Sequence, residues 1–482
     1  MKKQLLLILG IGISLIMQAQ ISKTINITTA GSLNTALTAI EKSTVTNLTV
    51  TGIIDASDFK TMRDSMPAII DIDLSGSAIV AYNGLNGPTS LTVYLANTVP
   101  TNAFFDFKNY SRAIASIVLP LSTITIGGNA FNSLRELKTF TIPSTVTTIG
   151  MSVFQNCAGL TSITIPASVS TIGFDALSSS GLKEIIVDAA NTTYSSDNGV
   201  LFNKDKTKIV QFPEAKDGNY SIPNTVTNIG NVSFYDNTLT NIYIPNSVIT
   251  IESQAFNWGN GNLVVDANNT KFMSEDGVLY NKNKTSIIDC PKYKTGNFNI
   301  PSTVDTISQG AFSGCKYLES IEIPSSVTTI QSIAFYSCSG LKSLYANSVT
   351  PIVLGSSNDF FNYVDKTACT LYVPIGSKAL YSSANGWKDF TNNVETTSLS
   401  ATDISSINDD IVSLYPNPTK TGFTINTVDN SLLQIYSLNG ELIFNAYVSN
   451  KERISTNSFQ PGIYIVTIIN KKETITKSLI VE

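Results

Sequence analysis

The 482-residue chain contains no histidine. That absence excludes Ser-His-Asp and Cys-His catalysis, histidine general bases and histidine metal ligands together. Arginine is nearly as scarce, at four residues, and no basic cluster occurs anywhere. Phosphate backbones need a concentrated positive face, so nucleic acid is excluded as a partner. Charged residues make up 14% of the chain and the formal net charge is −5. With Ser, Thr, Asn and Ile abundant, this is the composition of a folded, β-rich chain rather than a disordered one. Long apolar runs are also missing. The longest, Leu5 to Met17, follows Lys2 and Lys3 and is shorter than the ~20 residues a bilayer span takes. It reads as an export signal over residues 1–20, with cleavage after Met17-Gln18-Ala19. No cysteine follows it to carry a lipid anchor. The mature chain is expected to have no transmembrane segment.

What the chain does contain is one phrase written six times. I-P-S-T-V-T-T-I-G at residues 142–150 returns in close variants at 165, 222, 244, 300 and 323. The repeat prolines stand at 120, 143, 166, 223, 245, 301 and 324, so the short spacing is 22 or 23 residues, a leucine-rich-repeat period. Each unit reads L-x-x-I-x-I-P, then S-x-V-x-x-I, then A-F-x-x-C or a variant, as in Leu160, Ile163, Ile165 and Pro166. The alternation predicts a strand, which proline ends because it donates no ladder hydrogen bond. Val146 and Ile149 form a second, shorter apolar pair. One unit cannot bury its apolar face, but stacked units can, in a parallel sheet with strands about 4.8 Å apart. Phe131, Phe154, Phe234, Phe256, Phe312 and Phe335 share one repeat position and are expected to stack inside. Residues 187–226 and 265–304 align at an offset of 78 and interrupt the short spacing. In each, G-V-L-[FY]-N-K predicts a hairpin. Their D-N-G and E-D-G turns lack the alternating oxygens of a calcium loop.

These repeats resemble the BspA-like leucine-rich repeats of bacterial surface proteins over roughly residues 100–390. The I-P-x-x-V-x-x-I-G core, A-F-x-x-C, the D-G-V-L inserts and the closing L-Y-V-P-I-G-S-K-A-L-Y at 371–381 carry the likeness. The resemblance implies a curved solenoid that binds proteins or glycans at the cell surface, without catalysis.

An open stack needs caps. Leu33, Leu37 and Ile40 predict a short amphipathic helix capped by Ser32, and Ser57-Asp58 a second helix carrying Phe59, Met62 and Met66. Ile69 to Leu74 reads as an irregular first repeat. Residues 21–100 form this capping region, 101–390 the solenoid, and the Ser/Thr/Asn/Asp-rich 391–411 a linker. Beyond it come Tyr415-Pro416-Asn417-Pro418, Leu438-Asn439-Gly440, Pro461-Gly462-Ile463-Tyr464 and Lys477-Ser478-Leu479. Short alternating strands with such turns predict a small Ig-like β-sandwich. Residues 412–482 resemble the type A C-terminal sorting domain of the type IX secretion system of Bacteroidota. The likeness implies that this domain engages the type IX machinery and delivers the protein outside the outer membrane.

Five cysteines leave at least one unpaired. Cys315 and Cys338 are one coil apart, so they form either a bridge or, with Cys157, Cys290 and Cys369, buried thiols. No zinc spacing occurs, and no metal, cofactor or catalytic constellation is implied. Asp71 and Asp73 are a solvated strand face rather than a glycosidase pair. Asp64-Ser65-Met66 and Asp305-Thr306-Ile307 resemble the short O-glycosylation signal of Bacteroidota.

In leucine-rich repeats the outward residues of the longer strand meet the ligand. Here they are plain Ser and Thr in the N-terminal half, but include Glu184, Asn241, Tyr243, Glu322 and Tyr345 further on. Aromatics beside polar groups suit a glycan or protein contact. The expectation is a secreted or surface-displayed recognition protein with an extracellular protein or glycan ligand. The alternatives are a secreted enzyme or accessory of polysaccharide degradation, and a structural surface component.

Overall fold

The computed structural model describes residues 20–105, 113–178, 180–259, 261–355, 359–396, 413–415, 419–426, 431–437, 441–449, 451–469 and 474–481. The expected signal peptide lies outside them. Most repeats form one coil with a longer strand and a two-residue strand; the coil around Thr139 has only a single bridge to Ser116 in place of the longer strand. Ser162–Ile165 pairs in parallel with Glu184–Val187, Ser162 opposite Glu184. The short strand Thr148–Ile149 pairs in parallel with Thr125–Ile126 on one side and Thr171–Ile172 on the other. The second apolar pair of each repeat therefore builds its own sheet, closing the coil on two sides.

The recurring Ser or Thr two residues after each proline has a physical role. Ser168 Oγ donates to the Val146 carbonyl of the preceding coil (2.6 Å), Ser247 to Val226 (2.8 Å) and Ser326 to Val304 (2.7 Å). The phenylalanine rings stack through the middle. Centroids lie 5.7 Å apart for Phe131–Phe154, 5.3 Å for Phe234–Phe256 and 5.4 Å for Phe312–Phe335, and all six are buried. The stack also takes in Phe104, Phe212 and Phe361. Such pairs are worth about 0.5–1.5 kcal/mol each beyond their burial.

The parallel sheet begins earlier than the regular repeat. Ser22–Ile27, Asn47–Ile54, Asp71–Asp73 and Ser116–Val118 pair in that order, so the N-terminal region shares a sheet with the first coil. Helix Ala56–Ser65 covers its end with Phe59 and Met62, and Met66 follows at the helix terminus, all fully buried. The helix expected over Leu33, Leu37 and Ile40 is instead two, Leu33–Ala36 and Ala39–Thr44. Leu37 is extended, Ser32 makes no side-chain cap, and Ile40 is 74% exposed. A capping box wins locally: Thr38 Oγ1 accepts from the Glu41 N–H (3.2 Å) while Glu41 Oε2 accepts from the Thr38 N–H (2.8 Å).

Each insert is a three-strand meander. Tyr194–Asp197, Val200–Asn203 and Lys208–Gln211 are antiparallel, and the last pairs in parallel with Asn228–Ile229. Phe272–Glu275, Val278–Asn281 and Ser286–Asp289 repeat the arrangement. The D-N-G and E-D-G segments are its first turns, with φ of +48° and +79° at Asn198 and Gly199, and +49° and +78° at Asp276 and Gly277. Two consecutive left-handed residues suit a tight hairpin. Their acidic neighbours are used in ion pairs, Asp197 with Lys206 (2.7 Å) and Glu275 with Lys284. The middle strands divide the interior. Leu201 packs into the first core, while Val200 and Phe202 pack into the second. Leu279 packs back into the second core, while Val278 and Tyr280 enter the third.

Where an insert replaces the next coil, an asparagine supplies the missing polar contacts. Asn191 is fully buried; its Nδ2 donates to the Pro166 and Val169 carbonyls (2.8 and 2.9 Å) and its Oδ1 accepts from the Thr193 and Tyr194 N–H groups (2.8 Å each). Asn269 repeats this with Pro245, Val248, Lys271 and Phe272.

The C-terminal region forms two antiparallel sheets, one of three strands and one of four. They share a core that includes Phe423, Ile425, Leu433, Ile435, Val466 and Leu479. Among the described residues no helix is long and apolar enough to cross a membrane.

Asn191→Ala leaves two buried carbonyls and two N–H groups without this partner. The expected cost is about 2–3 kcal/mol, read as a lower urea midpoint. Asn269→Ala should match it, and an unchanged midpoint in either would show the amide to be dispensable.

Candidate functional site

The outward residues of the longer strands form rows across the sheets. The five residues expected to meet a ligand fall on three separate sheets. Glu184 belongs to the first pair of strands, and the hairpin turn packs against it: a Cβ on Gly199 would lie 2.9 Å from the Glu184 Cβ. A shallow cleft of ≈ 460 Å³ there is lined by Glu184, Lys183, Lys216, Asn198, Ser162 and Thr161 among others. Asn241 and Tyr243 share strand Leu239–Ile244. Asn241 Nδ2 donates to Asn219 Oδ1 of the preceding coil (2.8 Å). Tyr243 stands between Ser221 and Val264 in register. Tyr243 is 41% exposed and Val264 40%. They border a groove of ≈ 260 Å³ that also includes Asn224, Pro245 and Asp266.

Glu322 and Tyr345 are register partners on the third sheet. Glu322 is half-buried and accepts from Asn347 Nδ2 (2.9 Å). Tyr345 departs from expectation. It is 3% exposed, and its ring stacks on Tyr372 with centroids 4.6 Å apart and planes 9° from parallel. Its strand alternates as predicted, but the outward row here is shielded, with Ser320 2% and Ser343 7% exposed. Tyr372 was missed because L-Y-V-P reads as the closing cap; the alternation Leu371-Tyr372-Val373 was its signal.

Other candidate chemistry resolves into structural roles. Asp71 Oδ2 accepts from Asn47 Nδ2 (3.0 Å), and Asp73 Oδ1 from the Ser75 N–H (2.9 Å). Ser65 ends its helix beside buried Met66, and Thr306 Oγ1 donates to Asp305 (2.7 Å) within a paired strand. All five cysteines are buried free thiols, so Cys315 and Cys338 are not bridged. Cys338 Sγ donates to the Phe312 carbonyl (3.0 Å) and Cys315 Sγ faces the Cys290 carbonyl (3.6 Å). Each sulfur is taken up by the backbone of the coil below. Burial pushes the Cys157 and Cys369 thiols up to about 12, and those of Cys290 and Cys338 well above the usual thiol range. These thiols are poor nucleophiles at neutral pH.

Sequence reasoning missed a buried ion pair. Lys292 Nζ lies 3.1 Å from Asp289 Oδ1 and donates to the Cys290 carbonyl (2.9 Å), with both residues nearly inaccessible. Burial pushes the Asp289 carboxyl up to about 6, against the opposing pull of Lys292. At the 78-residue offset the first insert has Gln211 and Glu214 instead, so the pair is particular to the second insert.

In the sorting region, Tyr464 is 7% exposed, and its hydroxyl donates to the Gln460 carbonyl (2.7 Å). Gly462 opens a strand at φ +157°, and Lys477 lies in the final strand Thr474–Val481. Tyr415 ends the strand Ser413–Tyr415. Pro416, Asn417, Pro418 and Gly440 lie outside the described residues.

Because the folded pKa of Asp289 is raised, its favourable contribution is complete below the unfolded value near ~4 and is lost as pH rises through about 6. Lys292→Met strands the carboxylate, so the expected loss is about 3 kcal/mol at pH 8 and less at pH 5, where Asp289 takes a proton. Asp289→Asn with Lys292→Met should lose under ~1 kcal/mol. Denaturant midpoints at the two pH values check this.

Comparison with known proteins accords with the geometry. The model of the BspA type leucine rich repeat region matches in six copies over residues 97–216, 212–293 and 290–385. The secretion system C-terminal sorting domain matches residues 413–482. No curated protein matches the chain. Similar solved structures include a leucine-rich repeat protein from Eubacterium ventriosum, 27% identical, covering 53% of this chain and 68% of that one at a TM-score of 0.36. A leucine-rich cell surface protein from Faecalibacterium prausnitzii is 22% identical over 67% of this chain and 82% of that one, at 0.40. The pneumococcal vaccine antigen PcpA is 18% identical over 73% and 80%, at 0.39. With its stacked coils and its sorting domain, the chain belongs to the BspA-type leucine-rich-repeat family and is a secreted or cell-surface protein of the type IX pathway.

Proposed function

We propose that the protein is an adhesion or recognition protein that takes an extracellular protein or glycan on the outward side of its longer strands. The observation that carries this reading is Tyr243. A fully packed solenoid has no structural need for an aromatic ring standing 41% exposed beside an equally exposed Val264. Together they border a groove whose other walls include Ser221, Asn224, Pro245 and Asp266 beside apolar Ile222, Ile244 and Val265. An aromatic anchor in a partly polar groove is how surface proteins concentrate contact energy. Asn241 and Ser221 extend the contact with hydrogen-bonding groups, and Glu322 adds a carboxylate on the next sheet.

Tyr345 plays no direct part in this version of the site, because it is already covered. Glu184 flanks a separate cleft and contributes only if the ligand is long enough to span the first insert. The sorting domain, residues 413–482, supplies delivery, and its expected partner is the type IX machinery.

A binding screen against glycan and matrix-protein arrays tests the reading. Saturable binding is expected, with Tyr243→Ala weakening it at least tenfold and Tyr345→Ala leaving it within about twofold wherever the fold is retained. Equal binding by the Tyr243→Ala protein would move the site elsewhere. Deleting residues 413–482 is expected to leave the protein in the periplasm, read by fractionation and surface labelling. Undiminished surface exposure would remove the sorting role.

A further inference from the structure

The turn that follows each buried phenylalanine has one fixed backbone feature. Its second residue is left-handed in coil after coil: Ser133 (φ +64°), Asn156 (+60°), Asp236 (+51°), Gly314 (+80°) and Ser337 (+56°). These are residue types that the left-handed region accepts or that a short turn tolerates. Two coils break the pattern. Trp258 and Tyr363 occupy the same position at φ +63° each. A bulky ring there carries backbone strain: Tyr363 is 70% exposed and gains little burial in return, while Trp258 is partly buried. At Tyr363 that strain is not matched by burial, which points to a role in binding.

The two rings are joined by a third. Tyr336, the first residue after Phe335, meets Trp258 at 6.2 Å and Tyr363 at 5.0 Å between centroids, edge to face in both cases. The intervening coil gives the indole room, since a Cβ on Gly314 would lie 3.2 Å from Trp258 Cε3. The turns are held in line by backbone bonds from Gly314 to Tyr336 and from Ser337 to Asn362 (2.8 Å each). The result is an aromatic ridge along the turn edge of the C-terminal coils. At the same two positions the N-terminal coils carry Asn132-Ser133 and Gln155-Asn156.

We propose that Trp258, Tyr336 and Tyr363 form a second binding surface, separate from the Tyr243 groove, for a neutral polysaccharide. Sugar rings present an apolar C–H face to an aromatic ring and hydroxyls around the rim. The ridge offers the matching set: three rings, with Ser337 and Asn362 beside them and no charged residue at either turn position from Asn257 to Tyr363. An anionic polymer would require cations at these positions.

The chain's tryptophans provide the readout. Trp387 is fully buried, so a ligand-induced change in tryptophan emission reports on Trp258. Purified protein is titrated with laminarin, xylan, galactomannan and dextran, with alginate as the anionic control. A saturable emission change with at least one neutral polymer is expected. Tyr336→Asn and Tyr363→Asn should each weaken it at least tenfold, and Tyr243→Ala should leave it unchanged. Affinity electrophoresis of Trp258→Ala should show the same loss. No response to any neutral polymer, response to alginate alone, or full binding by the Tyr336→Asn/Tyr363→Asn double variant would overturn the proposal. Thermal melting supplies an independent arm. Tyr363→Asn and Tyr363→Gly should hold or raise the Tm, because the strain is relieved; a lower Tm in both would show that the ring serves packing.

Discussion

Everything in this protein depends on one constraint: no coil can bury its apolar face except against the next. Within a coil the strands are two to six residues long, far too short to be stable alone. The coils are held by ladder bonds, by stacked phenylalanines and by hydroxyls that reach back to the carbonyls of the coil before. The recurrent nine residues supply the ladder and hydroxyl contacts, and the A-F-x-x-C segment that follows supplies the phenylalanine. Proline ends the longer strand, the hydroxyl two residues later ties the turn down, and Val and Ile fill the interior. Variation is free only where a side chain points away from these contacts, on the outward strand positions and at the turn edge.

That division explains what could be read from the sequence. Phe131 and its five counterparts announced an internal stack because they hold one position in the repeat, and the hairpins of the inserts announced themselves by alternation and turn residues. The interruption at Leu37 was not legible, because the apolar spacing of Leu33, Leu37 and Ile40 fits a helix equally well whether or not Thr38 caps a new one. The candidate site was legible only as a set of outward positions. Tyr243 and Tyr345 stand at identical places in their repeats, yet one lies open and the other is covered. Periodicity reports which way a side chain points and nothing about what lies over it. Likewise, nothing in the sequence around Asn191 marks it as a structural residue. Its role appears only once the missing neighbouring coil leaves two carbonyls to satisfy.

The surface chemistry follows the same logic. With charge scarce and histidine absent, the exposed functional vocabulary is hydroxyl, amide and aromatic ring. Such groups bind through shape and hydrogen bonds rather than through long-range attraction. The family assignment and the sorting domain place that surface outside the cell, where the proposed ligand would meet it. Weak contacts spread along a rigid scaffold can then act together.

The strands Val200–Asn203 and Val278–Asn281 have a wider consequence. Each sends alternate side chains into two different cores, so the solenoid is a chain of three compartments separated by shared walls. In an unbroken array, disorder that starts at one end meets nothing that differs from what it has already melted. Here it meets a wall anchored from both sides, and the cooperative length is set by the distance between walls rather than by the whole molecule. Under a pulling force, such as a surface protein gripping a ligand in flow would experience, the molecule would yield in up to three steps. Extension could then absorb load while the remaining compartments keep their folded surfaces intact.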